Sequence, residues 1–139
     1  MNQKHVPSLE HCQEFDTLCK EKGIVVPETE FYYKRFSPHS KNYDLCDDGD
    51  EQCIHSDNKK IPAPLVSEQG EWLPWYLSTT DEFYLSVTRP NETDWSVEYS
   101  REDRGDEYKL MHMELANTEA NARQKSINYL IAEGIITKL

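Results

Sequence analysis

The chain contains four cysteines in two equally spaced pairs, and cysteines are potential metal ligands. Cys12 and Cys19 are seven residues apart in the chain, and so are Cys46 and Cys53. Paired ligands of structural zinc are typically about two to four residues apart, so neither spacing fits such a site well. Cys46 and Cys53 lie in a polar stretch that also contains His55, and they are the better metal candidates. A zinc-supported small domain that uses Cys46, Cys53 and His55 is therefore the alternative function.

Acidic side chains form a second candidate site, inside the polar stretch at about 37–60. The candidate residues are Asp44, Asp47, Asp48, Asp50 and Glu51. The stretch lacks the regular register of carboxylates, closed by a distant Glu, that defines an EF-hand calcium loop. The cluster therefore predicts either a contact for a protein partner or a solvated charged loop.

His112 and Glu114 form a pair that suggests acid–base catalysis. Residues two apart in a strand share one face, and a His–carboxylate pair there can move protons. No nucleophile elbow, P-loop, H-E-x-x-H or dinucleotide motif accompanies the pair. A surface ion pair is the simpler interpretation, and an enzyme would need a cleft beside it. We therefore predict no catalytic residue and no cofactor.

Aromatic residues are concentrated in the stretch from Ile61 to Tyr76, where prolines bracket a short predicted helix. Trp72, Trp75 and Tyr76 suggest an exposed aromatic binding patch. The alternative is a connector helix that Trp72 and Leu73 fix to a core. Both interpretations stay open at the level of the sequence.

Hydrophobic periodicity predicts the elements that position these residues. An amphipathic helix is expected at about 7–22, with Cys12 and Cys19 on its buried side and Gly23 as its stop. A run of strand formers follows at 31–36. The long loop after it is expected to contain at most a short strand near Tyr43.

The second half of the chain predicts a meander and a closing helix. Strands at 83–88 and 95–100 alternate apolar and polar residues and form a hairpin, and a third strand follows at 108–115. One side of this third strand carries Met111, Met113 and Leu115. An apolar sheet face needs a cover, which a helix from about Thr118 to Glu133, capped by Asn117, is expected to supply.

These elements predict an α+β fold, an antiparallel three- to four-stranded meander covered by an N-terminal and a C-terminal helix. The 139 residues fit a single domain that spans residues 1–139, with the long polar acidic loop at about 37–60 as an excursion from it. An aromatic content of 11% indicates a folded chain rather than a disordered one.

The net charge of -11 restricts the partners. It disfavours direct nucleic-acid binding, which needs clustered Lys and Arg, and it disfavours anionic membrane surfaces. It favours a basic protein partner or mimicry of the charge of DNA, although solubility alone also explains an acidic surface. The first twelve residues lack an apolar core of a signal peptide, so we expect a cytoplasmic protein with reduced thiols.

Several motifs of the second half resemble those of a family. They are I-P-A-P at 61–64, W-L-P at 72–74, the strand meander, and the helix pattern A-x-x-x-x-I-x-Y-L-I-A-x-G-I-I at 122–136. Together they resemble a group of small phage- and prophage-associated proteins of gut Bacteroidetes, over about residues 24–139. The resemblance implies a phage or prophage setting, and it brings no activity and no catalytic residue.

The leading functional hypothesis is a non-enzymatic protein-binding module, in a phage setting an accessory factor that acts on a host protein. Its acidic surface, at 44–51 and 92–107, would contact the partner. The charge and the missing catalytic motifs motivate this hypothesis.

Overall fold

The computed structural model describes residues 5–35, 41–47, 60–78, 82–102 and 108–139. Within these ranges the chain forms three helices and two antiparallel sheets. The elements in chain order are α1 (Leu9–Lys22), β1 (Phe31–Lys34), β2 (Asp44–Asp47), β3 (Lys60–Ala63), α2 (Val66–Trp72), β4 (Tyr76–Ser78), β5 (Glu82–Thr88), β6 (Trp95–Glu102), β7 (Tyr108–Ala116) and α3 (Glu119–Ala132). The α+β fold with an antiparallel meander and with N-terminal and C-terminal helices is confirmed.

The larger sheet is the predicted meander with one short strand added at its edge. Its strand order is β4-β5-β6-β7, so each strand pairs with its neighbour in the chain. Along β6, Val97 and Tyr99 are almost fully buried. Their partners on β7 are Glu114 and His112, and on β5 they are Val87 and Leu85. Since paired residues point to the same side, these positions define the covered face of the sheet.

The third helix covers that face. Ile127, Leu130 and Ile131 of α3 are completely buried and share a core with Phe83 and Tyr99 of the sheet. The helix begins one residue later than predicted. Thr118 rather than Asn117 is the N-cap, because its hydroxyl accepts a hydrogen bond from the Asn121 amide at 3.1 Å. The cap and the apolar stripe together hold α3 across the meander.

The first helix packs beside α3 and contributes to two clusters of buried side chains. Phe15 and Cys19 belong to the main core, and Cys12 belongs to a second cluster around Tyr33 and Ile61. Gly23 ends the helix in the left-handed region with φ +69°, as its position predicted. The prediction that Cys12 and Cys19 act as small buried hydrophobic residues is confirmed, since both are free thiols that are at most 2% exposed.

A second, smaller sheet has the order β2-β1-β3 and was only partly expected. The strand β1 lies inside the predicted run at 31–36. The strand β2 begins just after Tyr43, inside the stretch that we expected to be a long loop, and it pairs with β1. On its other side β1 pairs with β3. Pro62 is tolerated in β3 because, among the described residues, β3 is an edge strand that is hydrogen-bonded along one side only. Residues 37–40 and 48–59 of the predicted loop lie outside the described ranges.

Buried amides connect the short helix α2 to the other two helices. Gln69 of α2 donates to the Ala120 carbonyl and to Gln124 Oε1, both at 3.0 Å. Gln124 Nε2 donates to Asn128 Oδ1 at 2.9 Å, and Asn128 donates to the His11 carbonyl at 3.1 Å. The side chains of Gln69, Gln124 and Asn128 are all at most 2% exposed. This relay of amides fixes α2 against α3 and α3 against α1 by hydrogen bonds rather than by apolar contact alone.

Candidate open sheet face

On the face of the larger sheet that points away from α3, all described side chains except Ser96 are at least partly exposed. This face is called the open face here. Strand register places its residues in rows across the sheet, since side chains of paired residues lie side by side. One row runs Tyr76, Tyr84, Ser100 and Leu110, and the next runs Ser86, Glu98 and Met113. Further along β7 the face continues to Leu115 in one direction and to Tyr108 in the other.

Exposed apolar side chains are concentrated on this face. Among the described residues, seven large hydrophobic side chains are exposed, and all but Val25 belong to the open face or touch it. Those six are Trp75 (72% exposed), Tyr84 (48%), Tyr108 (54%), Leu110 (46%), Met113 (42%) and Leu115 (44%). Single exposed apolar residues are normal on a protein surface, but a contiguous group on one face indicates an interaction site.

The β4–β5 side of the open face is aromatic. Trp75, which immediately precedes β4, lies 5.5 Å from Tyr76 and 6.2 Å from Tyr84 between ring centroids. The two tyrosine rings are 5.4 Å apart. At these separations the rings touch one another and leave no gap between them, so they form a continuous apolar surface rather than a cage around a cation. We call these three residues the aromatic band.

The β7 side of the open face is aliphatic, and a polar strip on β6 separates the two sides. Leu110, Met113 and Leu115 form what we call the aliphatic band. On the strip between the bands, Glu98 is partly buried. Its Oε2 accepts a hydrogen bond from the Tyr108 hydroxyl at 2.7 Å. This bond raises the pKa of Tyr108, because the carboxylate favours the protonated phenol.

The predicted aromatic patch divides between the core and the surface. Trp72 stacks on Phe15 of α1 at 5.6 Å and packs against the main core. Trp72 therefore fixes the short helix to the core, as the connector interpretation predicted. Trp75 and Tyr76 lie on the surface, where the sequence placed them as binding candidates, and they meet Tyr84, which the sequence analysis did not select.

The five acidic candidates are placed only in part. Asp44 and Asp47 lie at the two ends of β2, with Asp47 exposed and Asp44 partly buried. Both belong to the smaller sheet, away from the open face. Asp48, Asp50 and Glu51 lie outside the described residues.

The metal alternative has little support in the described part of the chain. Cys46 is 3% exposed and disulfide-bonded, and a disulfide sulfur is not the thiolate that zinc requires. The assignment of Cys46 as a metal ligand is therefore corrected. Cys53 and His55 lie outside the described ranges, and no group of three or more potential ligands occurs within those ranges.

The His112–Glu114 pair lies on the covered face rather than on an exposed surface. His112 Nε2 is 2.9 Å from Glu114 Oε1, and the imidazole stacks on Tyr129 of α3 at 3.4 Å between centroids. Lys125 Nζ is 3.3 Å from the other oxygen of Glu114, so that α3 provides partners for both members of the pair. A cleft of about 280 Å³ adjoins Glu114 and is lined by Lys125 and Tyr129 together with His11 and other α1 and α3 residues. The cleft that acid–base catalysis would need therefore adjoins the pair, and the contacts with Lys125 and Tyr129 also tie α3 to β7.

A register shift in β7 explains why the sequence predicted the wrong face of the sheet for two of its apolar residues. The pairing of β6 with β7 is irregular between Tyr99 and Ser100. Met111 packs against the main core, whereas Met113 and Leu115 point to the open face. The prediction that all three share one covered side is therefore wrong, because an extra residue in a strand reverses the alternation beyond it.

Comparisons with protein-family models, with curated proteins and with solved structures find no match. In the described part of the chain, no helix has both the length and the apolar character needed to cross a membrane. The candidate site therefore stands on its own geometry.

Proposed function

We propose that the chain is a non-enzymatic protein-binding module and that the open face is its contact surface. The observation that carries the proposal is the gathering of six exposed apolar side chains on one side of the meander. Such a surface is costly to leave in water unless a partner covers it, because apolar burial contributes about 25 cal/mol per Å².

The size of the open face suits a protein partner. A whole aromatic side chain presents about 200 Å², so the exposed fractions of Trp75, Tyr84 and Tyr108 amount to roughly 350 Å² of aromatic surface. The aliphatic band adds to this area. The largest apolar patch of an ordinary monomer is roughly 300–600 Å², and one side of a standard interface is about 800 Å². The exposed apolar area then totals about 600 Å², so a partner of standard size would also cover the polar residues between and around the bands.

The composition of the open face also suits recognition rather than catalysis. Tyr and Trp are enriched at the centres of protein interfaces, where they supply large rigid contact areas. The net charge of -11 favours a basic partner, and the phage resemblance suggests a host protein in that role. This differs from the first hypothesis in one respect, since the contact surface consists mainly of an aromatic and an aliphatic band, with the polar strip of β6 between them.

The cytoplasmic location remains a prediction.

Site-directed photo-crosslinking in the cells that naturally make the chain tests the proposal. A benzophenone amino acid replaces Tyr84 in one variant and Val25 in a matched control, because Val25 is 84% exposed but lies off the open face. We expect a discrete cross-linked protein from position 84 and none from position 25. The same products from both positions, or none from position 84, would overturn the proposal.

A further inference from the structure

The polar strip at the centre of the open face specifies what its partner must carry. Glu98 lies on β6, an inner strand, between Ser86 on β5 and Met113 on β7. A partner that covers the aromatic and aliphatic bands must therefore also cover this carboxylate. The hydrogen-bond partners of this carboxylate then decide the chemistry of the contact.

Within the described residues, the hydrogen bonds of Glu98 come from two hydroxyl groups. Tyr108 donates to Oε2 at 2.7 Å, and Ser100 donates to Oε1 at a long 3.5 Å. Hydroxyl donors orient a carboxylate but leave its charge in place. Removing an ionised carboxylate from water costs several kcal/mol unless an opposite charge replaces the lost hydration.

We propose that the protein which binds the open face inserts an arginine opposite Glu98, flanked by apolar residues that cover the two bands. This inference rests on the proposed function of the open face. Arginine fits better than lysine because its planar guanidinium can pair with both carboxylate oxygens and can stack on an aromatic ring such as Tyr108. The partner is thus a basic and apolar segment of another protein.

A second copy of the chain is the less suitable occupant. Two copies that meet face to face would bring two Glu98 carboxylates into one interface. Each copy also carries a net charge of -11, so that the association would join two strongly acidic molecules. Repulsion of this kind opposes self-association and favours a cationic partner.

A yeast-displayed library of random peptides, selected on the whole wild-type chain, provides the probe. Selected peptides are then measured against wild type, Tyr84→Ala, Glu98→Gln and the control Glu71→Gln, which changes an exposed glutamate on α2. We expect enrichment of arginine among apolar residues and loss of binding to Tyr84→Ala. Glu98→Gln should weaken binding about tenfold or more, and Glu71→Gln should not.

Replacing the peptide arginine by citrulline completes a double-mutant cycle. Citrulline keeps the shape of arginine but not its charge, so it should weaken binding to wild type and have little further effect on Glu98→Gln. The melting temperature of each variant checks that it folds. We expect Glu98→Gln and Glu71→Gln to melt within a few degrees of wild type.

The outcomes separate the two proposals. Peptides that depend on Tyr84 but lack a basic residue, and that bind Glu98→Gln as well as wild type, overturn the arginine inference and leave the binding face intact. Peptides that ignore Tyr84 overturn both. A wild-type dimer in sedimentation that dissociates on Tyr84→Ala substitution identifies a second copy as the occupant and overturns the arginine inference.

Discussion

Replacing Gln124 by leucine should destabilise the fold far more than the same change at Gln69, although both amides are fully buried and bonded to each other. Gln124→Leu removes the donor to Asn128 Oδ1 and one of the two acceptors of Gln69. A buried polar group left without its partner costs about 1–3 kcal/mol. In this variant Gln69 keeps its hydrogen bond to the Ala120 carbonyl, so the unmet hydrogen bond of Gln69 costs less than that of Asn128. Together these two losses should lower the free energy of unfolding of Gln124→Leu by about 2–4 kcal/mol.

Gln69→Leu removes the donor to Gln124 but also removes a group that is already unsatisfied. Gln69 Oε1 is buried and has no hydrogen-bond partner among the described residues. Its removal returns desolvation energy comparable to the energy lost, so the net cost is about 0–2 kcal/mol. The double variant should be less destabilised than the sum of the two, since the shared bond is counted once.

Urea denaturation measures these differences directly. With an m-value of about 2 kcal/mol per M, a loss of 3 kcal/mol lowers the midpoint by roughly 1.5 M. Glu133→Gln, a change at an exposed position at the end of α3, is the matched control and should leave the midpoint unchanged. A Gln69→Leu variant that is as unstable as Gln124→Leu, or a Gln124→Leu cost below about 1 kcal/mol, would refute the reasoning.

Three further predictions concern the thiols, the turn after α1 and the tryptophans. Burial raises the pKa of Cys12 well above that of an ordinary thiol and the pKa of Cys19 to about 11, so the unfolded chain loses thiol protons first as pH rises. The free energy of unfolding, measured by urea denaturation, should therefore fall above about pH 9, and it should fall less steeply in Cys12→Ala; an equal slope in that variant would contradict the linkage. Gly23→Ala should lower stability by about 1 kcal/mol, measured by thermal unfolding, because φ is +69° there while the space around a Cβ is open; an unchanged melting temperature would mean that the turn relaxes. Acrylamide should quench Trp75 more than Trp72, so Trp75→Phe should remove most of the quenchable fluorescence and Trp72→Phe should not.

The sequence predicted the elements whose signals are local. The periodicity of α1, its glycine stop and the alternation of β6 each depend on neighbours in the chain, and the structure agrees with them. The side on which β7 presents its residues depends on pairing with β6. The irregularity between Tyr99 and Ser100 has no local signal, and it moved Met113 and Leu115 from the expected core to the surface.

The candidate site was predictable only in part for the same reason. Trp75 and Tyr76 drew attention because they are aromatic residues beside prolines. Tyr84 and Leu110 join them only through cross-strand register, which aligns positions far apart in the chain. The amide relay through Gln69 was equally invisible, since a glutamine in a short helix normally indicates an exposed position.

Hydroxyl-radical footprinting of the chain, free and bound to the protein captured from position 84, tests the central claim most directly. The account predicts that oxidation of Tyr84, Tyr108 and Met113 falls strongly in the complex while oxidation of Val25 is unchanged. Unchanged oxidation of the three open-face residues, with protection instead at the acidic strand Asp44–Asp47, would contradict it.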